Sequence, residues 1–358
     1  MFFHQKHNSP PDFIGSVEPL ISGLNNGTYK PYQFYHTQFS ITESSWLRYN
    51  NSWVKYLPSQ GKKLNKTYYD IETYVRVGPE AIPFNAKFHF YPVNAIAFYN
   101  NILNEVQIVY VKIPEFHKLS NQETEEAVID TYKAKCAEKA EYLIPDLKIK
   151  VIPFTTEVDL LIYTFNTFKE LNHHILMGFN SANFDDPYII KRLKKLRPND
   201  WEDLISEFGQ VQSFGELSYE FPDYNLVDIL VLYKPVDAGG SGFGRSLPDF
   251  KLETICKTHL GLEKLDLDED FVYSYEQNII NYLTYNMLDT LLVYKLDEKL
   301  RFIEQIFSLA EINKAPLGST IRGRSLMFSA RNNKHFTDKG MVLRHGKFGS
   351  EIYYKIDK

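Results

Sequence analysis

The sequence is short of cysteine, of long apolar runs and of positive charge, and each shortage excludes a class of protein. Two cysteines occur among 358 residues, and the spacing of Cys136 and Cys256 fits neither a metal site nor a redox pair. There is no apolar run of the roughly 18 residues that cross a membrane, and residues 1–11 lack the apolar stretch of a signal peptide. We therefore expect a cytoplasmic protein with incidental thiols and no membrane contact.

The charge balance argues against a protein that coats nucleic acid, because the net charge is −5 and such proteins are normally basic. A nuclease is not excluded, since bound cations and a local groove attract phosphates to an acidic protein. The glycine-rich segment 237–245 lacks the Gly-Lys-Ser/Thr ending of a P-loop, and we interpret it as a mobile loop. The chain is longer than the size at which a single hydrophobic core usually stops growing, so one large domain with a smaller lobe is expected.

Strand and helix patterns alternate from residue 67 onwards, whereas residues 1–66 are rich in Asn, Ser, Gly and Pro and predict a small lobe of short strands and turns. Periodicity predicts strands over 68–73, 93–99, 106–112, 148–154 and 175–179, and helices over 122–143, 157–171 and 187–196. Alternation over 210–220 predicts a β-hairpin. The order β-β-β-α-β-α is that of an RNase H-like fold. The expected class is α/β, a mixed sheet flanked by helices, with an N-terminal α+β lobe.

Three short segments place carboxylates in a form that suits a pair of divalent metal ions. Asp70 and Glu72 are two residues apart in a predicted strand, so both side chains leave the same face. Asp185 ends the segment Asn-Ser-Ala-Asn-Phe-Asp, and Asp289 lies four residues after Tyr285 in a helical pattern, which puts phenol beside carboxylate. Mg²⁺ and Mn²⁺ prefer oxygen ligands, and two ions serve an in-line attack on a phosphodiester. The four carboxylates therefore predict a metal-dependent nuclease site.

Each segment also has an ordinary explanation. An Asp-x-Glu pair usually lies on a solvated face, residues 180–186 fit a turn followed by a helix cap, and Tyr-x-x-x-Asp occurs in any helix. However, the strand formers around Asp70 indicate burial, and a buried carboxylate pair is costly unless something positive meets it. The order and spacing of the three segments leave room for strands and helices between them. Convergence at one site is therefore favoured.

Together these segments resemble the 3′→5′ exonuclease domain of family B DNA polymerases. Residues 70–72, 180–185 and 285–289 are similar to its three exonuclease motifs and follow in the same order. The sequence segments at 92–99 and 282–289 are most similar to the branch of the family found in large tailed bacteriophages. The resemblance implies a DEDDy exonuclease over 67–310, an N-terminal lobe over 1–66, and a segment over 311–358 that leads towards the polymerase palm. It also implies that residues 247–260 form the helix before the third motif.

The resemblance assigns a role to each residue of the site. It implies that Asp70 bridges two ions, that Glu72 and Asp289 complete the site of the ion that activates the attacking water, and that Asp185 serves the second ion. Tyr285 then positions the water.

The resemblance also implies how the DNA is held. Asn180 and Phe184 shape the pocket of the terminal nucleotide, and Ile82 and Phe84 are the candidates for a wedge between terminal bases. The hairpin at 210–220 occupies the position of the one that holds template and primer strands apart.

We therefore expect an enzyme that proofreads DNA synthesis by removing nucleotides from frayed single-stranded 3′ ends, with Mg²⁺ or Mn²⁺ as cofactor. Polymerase motifs are lacking in the sequence, so a separate polymerase subunit is an expected partner, with primer-template DNA and a replisome clamp; a shortened chain is the other explanation. Docking is expected through the N-terminal lobe and the segment after about residue 311, which contains the arginines at 322–331. A free-standing DNA or RNA exonuclease and a non-catalytic DNA-binding scaffold are the alternatives. A phage-encoded protein would act in the host cytoplasm.

Overall fold

A computed structural model of the chain describes residues 64–75, 89–206, 211–214, 218–220, 224–234, 240, 242, 244, 246–264, 267, 271–313, 341–345 and 351–355. Ile82, Phe84, residues 1–63 of the predicted lobe and the arginines at 322–331 lie outside them. Among the described residues, Leu64–Arg301 form one compact unit and those after Arg301 belong to a second. The predicted three-part division stays a prediction. None of the described helices is long and apolar enough to cross a membrane.

A mixed sheet of six strands forms the centre of the Leu64–Arg301 unit. The described strands are β1 (Lys66–Thr73), β2 (Val93–Asn100), β3 (Glu105–Val111), β4 (Lys148–Phe154), β5 (Ile175–Gly178), β6 (Gln212–Phe214), β7 (Ser218–Glu220), β8 (Asn225–Asp228), β9 (Met341–His345) and β10 (Glu351–Lys355). The sheet order is β4-β3-β2-β1-β5-β8, in which β1, β2 and β3 are antiparallel neighbours and the other pairings are parallel. The strands β6 and β7, and likewise β9 and β10, form separate antiparallel pairs.

Helices cover both faces of this sheet. The described helices are α1 (Asn121–Glu138), α2 (Glu157–Leu171), α3 (Asp185–Leu196), α4 (Trp201–Ile205), α5 (Ile229–Tyr233), α6 (Leu252–Leu260), α7 (Phe271–Gln277), α8 (Ile279–Leu300) and α9 (Phe302–Asn313). Helices α2 and α3 enclose the main hydrophobic core with one face of the sheet. Helix α8 runs across β1 and β2 on the other face. The expected α/β architecture, a mixed sheet flanked by helices, is confirmed.

Strand β1 divides its side chains between these two faces. Tyr69 and Ile71 belong to the core that includes α2 and α3, while Asp70 and Glu72 leave the opposite face, as the spacing of two predicts. Their neighbours on β2 are Ala97 and Ala95. Because alanine side chains are small, α8 can approach the sheet closely beside the two carboxylates.

The predicted elements are confirmed with shifts at their ends. The helix predicted over 122–143 is wrong at its end, because it stops at Glu138, where Lys139 is extended with φ −141° and a short 3₁₀ turn follows. The helix expected from 247 begins at Leu252, after an extended Lys251. The hairpin at 210–220 is present as β6 and β7. Strand β8 and helix α5 were not predicted.

A buried histidine gives the fold a predicted dependence on pH. His173 is 1% exposed, neither ring nitrogen has a hydrogen-bond partner, and its ring lies 4.5 Å from that of Tyr224 and 5.7 Å from that of Phe168, between centroids. Burial, followed by the neighbouring His174, lowers the pKa of His173 to about 3. Below pH 6.5 the histidine is protonated in the unfolded chain but stays neutral in the folded protein until the pH approaches 3. The free energy of unfolding therefore decreases as the pH falls through this range.

We expect His173→Phe to reduce this acid sensitivity. The histidine accounts for a stability loss of about 2 kcal/mol between pH 7.5 and pH 5, which the variant lacks. Urea unfolding at both pH values measures it, and the comparison within each protein cancels any packing cost of the larger ring. Equal losses in the two proteins would show that His173 does not titrate as its burial requires.

Candidate functional site

Three carboxylates from two elements converge beside the sheet. Asp70 and Glu72 come from β1 and Asp289 from α8, and each offers an oxygen that lies within 4.8 Å of the oxygens offered by the other two. Asp289 is buried, whereas Asp70 and Glu72 are half-buried. The structure therefore brings together the first and third predicted motifs, which are more than two hundred residues apart in the chain.

Two further polar residues contact this group, and the sequence reasoning missed both. The Asn286 amide donates to Asp70 Oδ2 at 2.8 Å. The Lys264 ammonium lies 2.6 Å from Asp289 Oδ2 and 4.6 Å from the ring centroid of Tyr285. Asn286 could have been found from its place three residues before Asp289 on the same helix face. Lys264 follows α6 in a segment without periodicity, so no local signal pointed to it.

Burial, with repulsion by neighbouring carboxylates at Asp70 and Glu72, raises the pKa values of the group. Burial, followed by the charge of Asp289, raises the pKa of Asp70 to about 7, although Lys264 opposes this. The pKa of Glu72 is raised well above its ordinary value by burial and by Asp70. Burial raises the pKa of Asp289 to about 6, against the attraction of Lys264. Among the residues that the structure describes, one ammonium contacts these three carboxylates, so further positive charge would favour the ionisation of all three at neutral pH.

These residues fit a divalent metal ion. Asp289 Oδ1 is buried and has no hydrogen-bond partner, which is costly for a carboxylate oxygen unless a cation meets it. The donors of the group are all carboxylate oxygens, which hard cations such as Mg²⁺ and Mn²⁺ prefer. The chemistry of the donors and the unsatisfied oxygen therefore agree with a metal site.

Asp185, from the second motif, contacts strand β1 at the edge that pairs with β5. Pairing of β1 with β5 ends at Tyr68 and Met177, so the later Ile71 N–H remains available and donates to Asp185 Oδ1 at 3.3 Å. Asp185 is buried, and burial followed by the charge of Asp70 raises its pKa well above the ordinary value. The charge of Asp70 therefore acts on Asp185, but Asp185 does not belong to the group formed by Asp70, Glu72 and Asp289. Its role as a metal ligand stays a prediction.

Tyr285 lies where the helical spacing predicts. Its side chain is buried, and the phenol favours the charged form of the neighbouring Asp289 by lowering its pKa. Burial, followed by the negative charges of Asp289 and its neighbours, raises the pKa of the phenol far above its ordinary value. The phenol therefore keeps its proton near neutral pH and can donate a hydrogen bond, but it cannot act as a base.

The other predicted residues of the second motif lie in the turn between β5 and α3. Asn180 has a left-handed backbone with φ +60°, which asparagine tolerates, and its side-chain oxygen accepts from the Asn183 amide at 3.1 Å. Phe184 precedes α3 and its ring lies 5.4 Å from that of Tyr188, between centroids. Both are partly exposed, and their contact with a nucleotide stays a prediction. A Cβ at Gly178 would meet Ser181 at 2.5 Å, so this turn requires glycine there.

Comparisons with known proteins are consistent with this site. The family model described as DNA polymerase family B, exonuclease domain, matches residues 27–229, more than half of the chain. The DNA-directed DNA polymerase of Enterobacteria phage T4 is 26% identical over 181 residues, 49% of this chain and 20% of that protein. The DNA-directed DNA polymerase of Escherichia phage RB69 is 24% identical over 259 residues, which cover 67% of this chain and 26% of that protein. The DNA polymerase of guinea pig cytomegalovirus is 28% identical over 222 residues, which cover 54% of this chain and 18% of that protein. The chain thus spans about a fifth to a quarter of these relatives.

Proposed function

This chain belongs to the exonuclease-domain family of the family B DNA polymerases, and we propose that it removes nucleotides from frayed single-stranded 3′ ends of DNA by metal-dependent hydrolysis. The membership makes it a proofreading 3′→5′ exonuclease, an enzyme with an RNase H-like α/β fold. The observation that carries the proposal is the convergence of Asp70, Glu72 and Asp289. These carboxylates come from separate motifs, and burial disfavours their charged forms unless a cation is bound.

Four carboxylates supply the ligands in this proposal. Asp70, Glu72 and Asp289 would hold one ion, and Asp185 together with Asp70 would serve a second; Mg²⁺ or Mn²⁺ would suit these oxygen donors. Bound there, such ions lower the pKa of the attacking water and stabilise the negative charge on the leaving 3′ oxygen. In this assignment a bound cation would displace the protons that the raised pKa values of Asp70 and Asp289 otherwise favour.

The remaining residues of the site orient these groups. The Asn286 amide fixes the direction of Asp70, and the Lys264 ammonium holds Asp289 and reduces the repulsion between the carboxylates. Tyr285 keeps its phenolic proton. It is therefore suited to position a water molecule next to Asp289 by donating or accepting a hydrogen bond, while the base must be another group.

The form of the substrate follows from the cost of reaching the site. A paired 3′ end must unstack first, which costs a few kcal/mol and costs least at a mismatch, so selectivity for errors needs no contact with a specific base. We propose that Asn180 and Phe184 line the pocket of the terminal nucleotide and that the β6–β7 hairpin keeps template and primer apart. Ile82 and Phe84 keep their proposed role as the wedge between terminal bases.

The partners are proposed from the relatives. The proteins that match are named DNA polymerases, and this chain spans only about a fifth to a quarter of their length. We propose that it acts on primer-template DNA together with polymerase palm, fingers and thumb, carried by a separate subunit or by further sequence, with a replisome clamp as another partner. A phage-encoded protein would work in the host cytoplasm.

The proposal is tested with a single-stranded oligonucleotide labelled at its 5′ end. With Mg²⁺ or Mn²⁺ we expect a ladder of products that shorten from the 3′ end, and a single phosphorothioate at the last linkage should slow the first step. A matched duplex should resist longer than one with a mismatched 3′ end. Shortening from the 5′ end alone would overturn the proposal, and DNA binding without any cleavage would favour the non-catalytic scaffold. Equal trimming of RNA and DNA would favour a free-standing end-trimming enzyme.

A further inference from the structure

Asp228 connects the end of β8 to the turn that carries the second motif. It is 6% exposed and caps helix α5, because Oδ1 accepts the Leu230 N–H at 2.9 Å. Oδ1 also accepts the Asn180 N–H at 2.9 Å, and Oδ2 accepts the Ala182 N–H at 3.3 Å. The last two bonds span 48 and 46 residues of sequence. A helix cap needs only the first bond, so the other two require a separate explanation.

The turn that Asp228 holds leads directly to Asp185. After the left-handed Asn180, the Phe184 N–H bonds back to the Asn180 carbonyl at 3.1 Å, and α3 begins with Asp185. The backbone N–H groups of Asn180 and Ala182 have no partner inside the helix or the sheet, and both donate to the carboxylate of Asp228 in partly buried hydrogen bonds. The carboxylate of Asp228 therefore ties the turn that precedes α3 to the end of β8, in addition to the turn's own backbone hydrogen bonds.

We propose that Asp228 is a positioning residue of the exonuclease reaction: its carboxylate fixes the turn at residues 180–184 so that Asp185 is held against the N–H of Ile71, beside Asp70. The inference rests on the proposed function, since Asp185 matters only if it serves the reaction. Asp228 acts through the turn and touches no reacting atom. A displacement of about 1 Å at a catalytic group lowers rates by about 10²-fold.

The geometry predicts a graded effect of two substitutions. Asp228→Ala removes the three backbone contacts that the carboxylate makes. Asp228→Asn keeps the shape of the side chain, but its single oxygen can replace only one of Oδ1 and Oδ2. At the other position its NH₂ group faces a backbone N–H, and two donors cannot form a hydrogen bond. We expect kcat to fall about 100-fold in the alanine variant and about 10-fold in the asparagine variant.

Thr156→Ala is the matched control, because it also removes a helix N-cap: the Thr156 hydroxyl accepts the Asp159 N–H at the start of α2, at 3.2 Å. Losing a helix N-cap lowers stability in either variant. The control should therefore lose thermal stability and keep its kcat, while Asp228→Ala also loses the two bonds to the turn. This comparison separates a positioning role from destabilisation alone.

The decisive measurement combines kcat with hydrogen exchange of the metal-free proteins at the Asn180 and Ala182 amides. We expect exchange to be at least about 10-fold faster in Asp228→Ala and unchanged in Thr156→Ala. Unchanged exchange in Asp228→Ala, or faster exchange with an unchanged kcat, overturns the inference while the proposed function stands. A wild-type protein without nuclease activity overturns the proposed function itself; the exchange result is independent of any reaction and keeps the two failures distinguishable.

Discussion

Replacing Asp70 by asparagine is expected to lower the rate of nucleotide release by about 10⁴-fold, because a ligand common to both proposed ions then loses its charge. The same change should raise the melting temperature of the metal-free protein at pH 8. Asp70 has a pKa of about 7 in the fold against about 3.8 in the unfolded chain, so raising the pH through this range charges the folded site at a cost in stability. The substituted amide removes that charge and can still pair with Asn286.

Asp130→Asn is the control for this substitution, since Asp130 lies on α1 with a side chain that is 77% exposed. It should change neither activity nor stability measurably. Nuclease assays and thermal melts with and without Mg²⁺ would be compared, and the stabilisation that Mg²⁺ gives the wild type should be lost only in Asp70→Asn. Activity within tenfold of the wild type would rule out Asp70 as a ligand shared by both ions.

The site was predictable from sequence where its residues follow a local spacing. Asp70 and Glu72 share a strand face by a spacing of two, and Tyr285 and Asp289 share a helix face by a spacing of four. That they meet could be expected only from the order of the motifs and from the resemblance. Lys264 shows the limit, because its contact with Asp289 depends on where a loop after α6 ends, and no periodicity encodes that.

The fold was predictable to a similar extent. Strong periodicity indicated β1 to β5 and helices α2 and α3, whereas β8 and α5 are too short to give a pattern. A buried ion pair between Lys66 and Asp297 connects β1 to α8, although the two residues are 231 positions apart in the sequence. A lysine at the start of a strand is typical of a surface position. Its burial becomes intelligible only once the carboxylate on the covering helix is known, because an unpaired buried charge is costly.

Lys264→Met is expected to lower kcat by about 10²- to 10³-fold at neutral pH while the protein stays folded. Methionine keeps the unbranched apolar stem of the side chain but removes the ammonium 2.6 Å from Asp289, a loss comparable to that of one charged contact in a preorganised site. Without this charge the carboxyl groups that it attracts should hold their protons to higher pH, because Lys264 lowers the pKa of both Asp289 and Asp70. The pH at which activity reaches half its maximum should therefore shift upwards.

Lys257→Met is the matched control, since its ammonium lies 2.7 Å from Glu263 in an exposed ion pair seven residues earlier, with the lysine side chain 66% exposed. Exposed ion pairs contribute little to stability because solvent screens them, so this variant should keep the activity and pH profile of the wild type. The informative result is the shift of the profile, because general destabilisation lowers activity at every pH without moving it. If Lys264→Met lost activity with an unshifted profile, the lysine would act by holding the Tyr285 ring rather than by its charge on the carboxylates, since the ammonium also lies 4.6 Å from that ring.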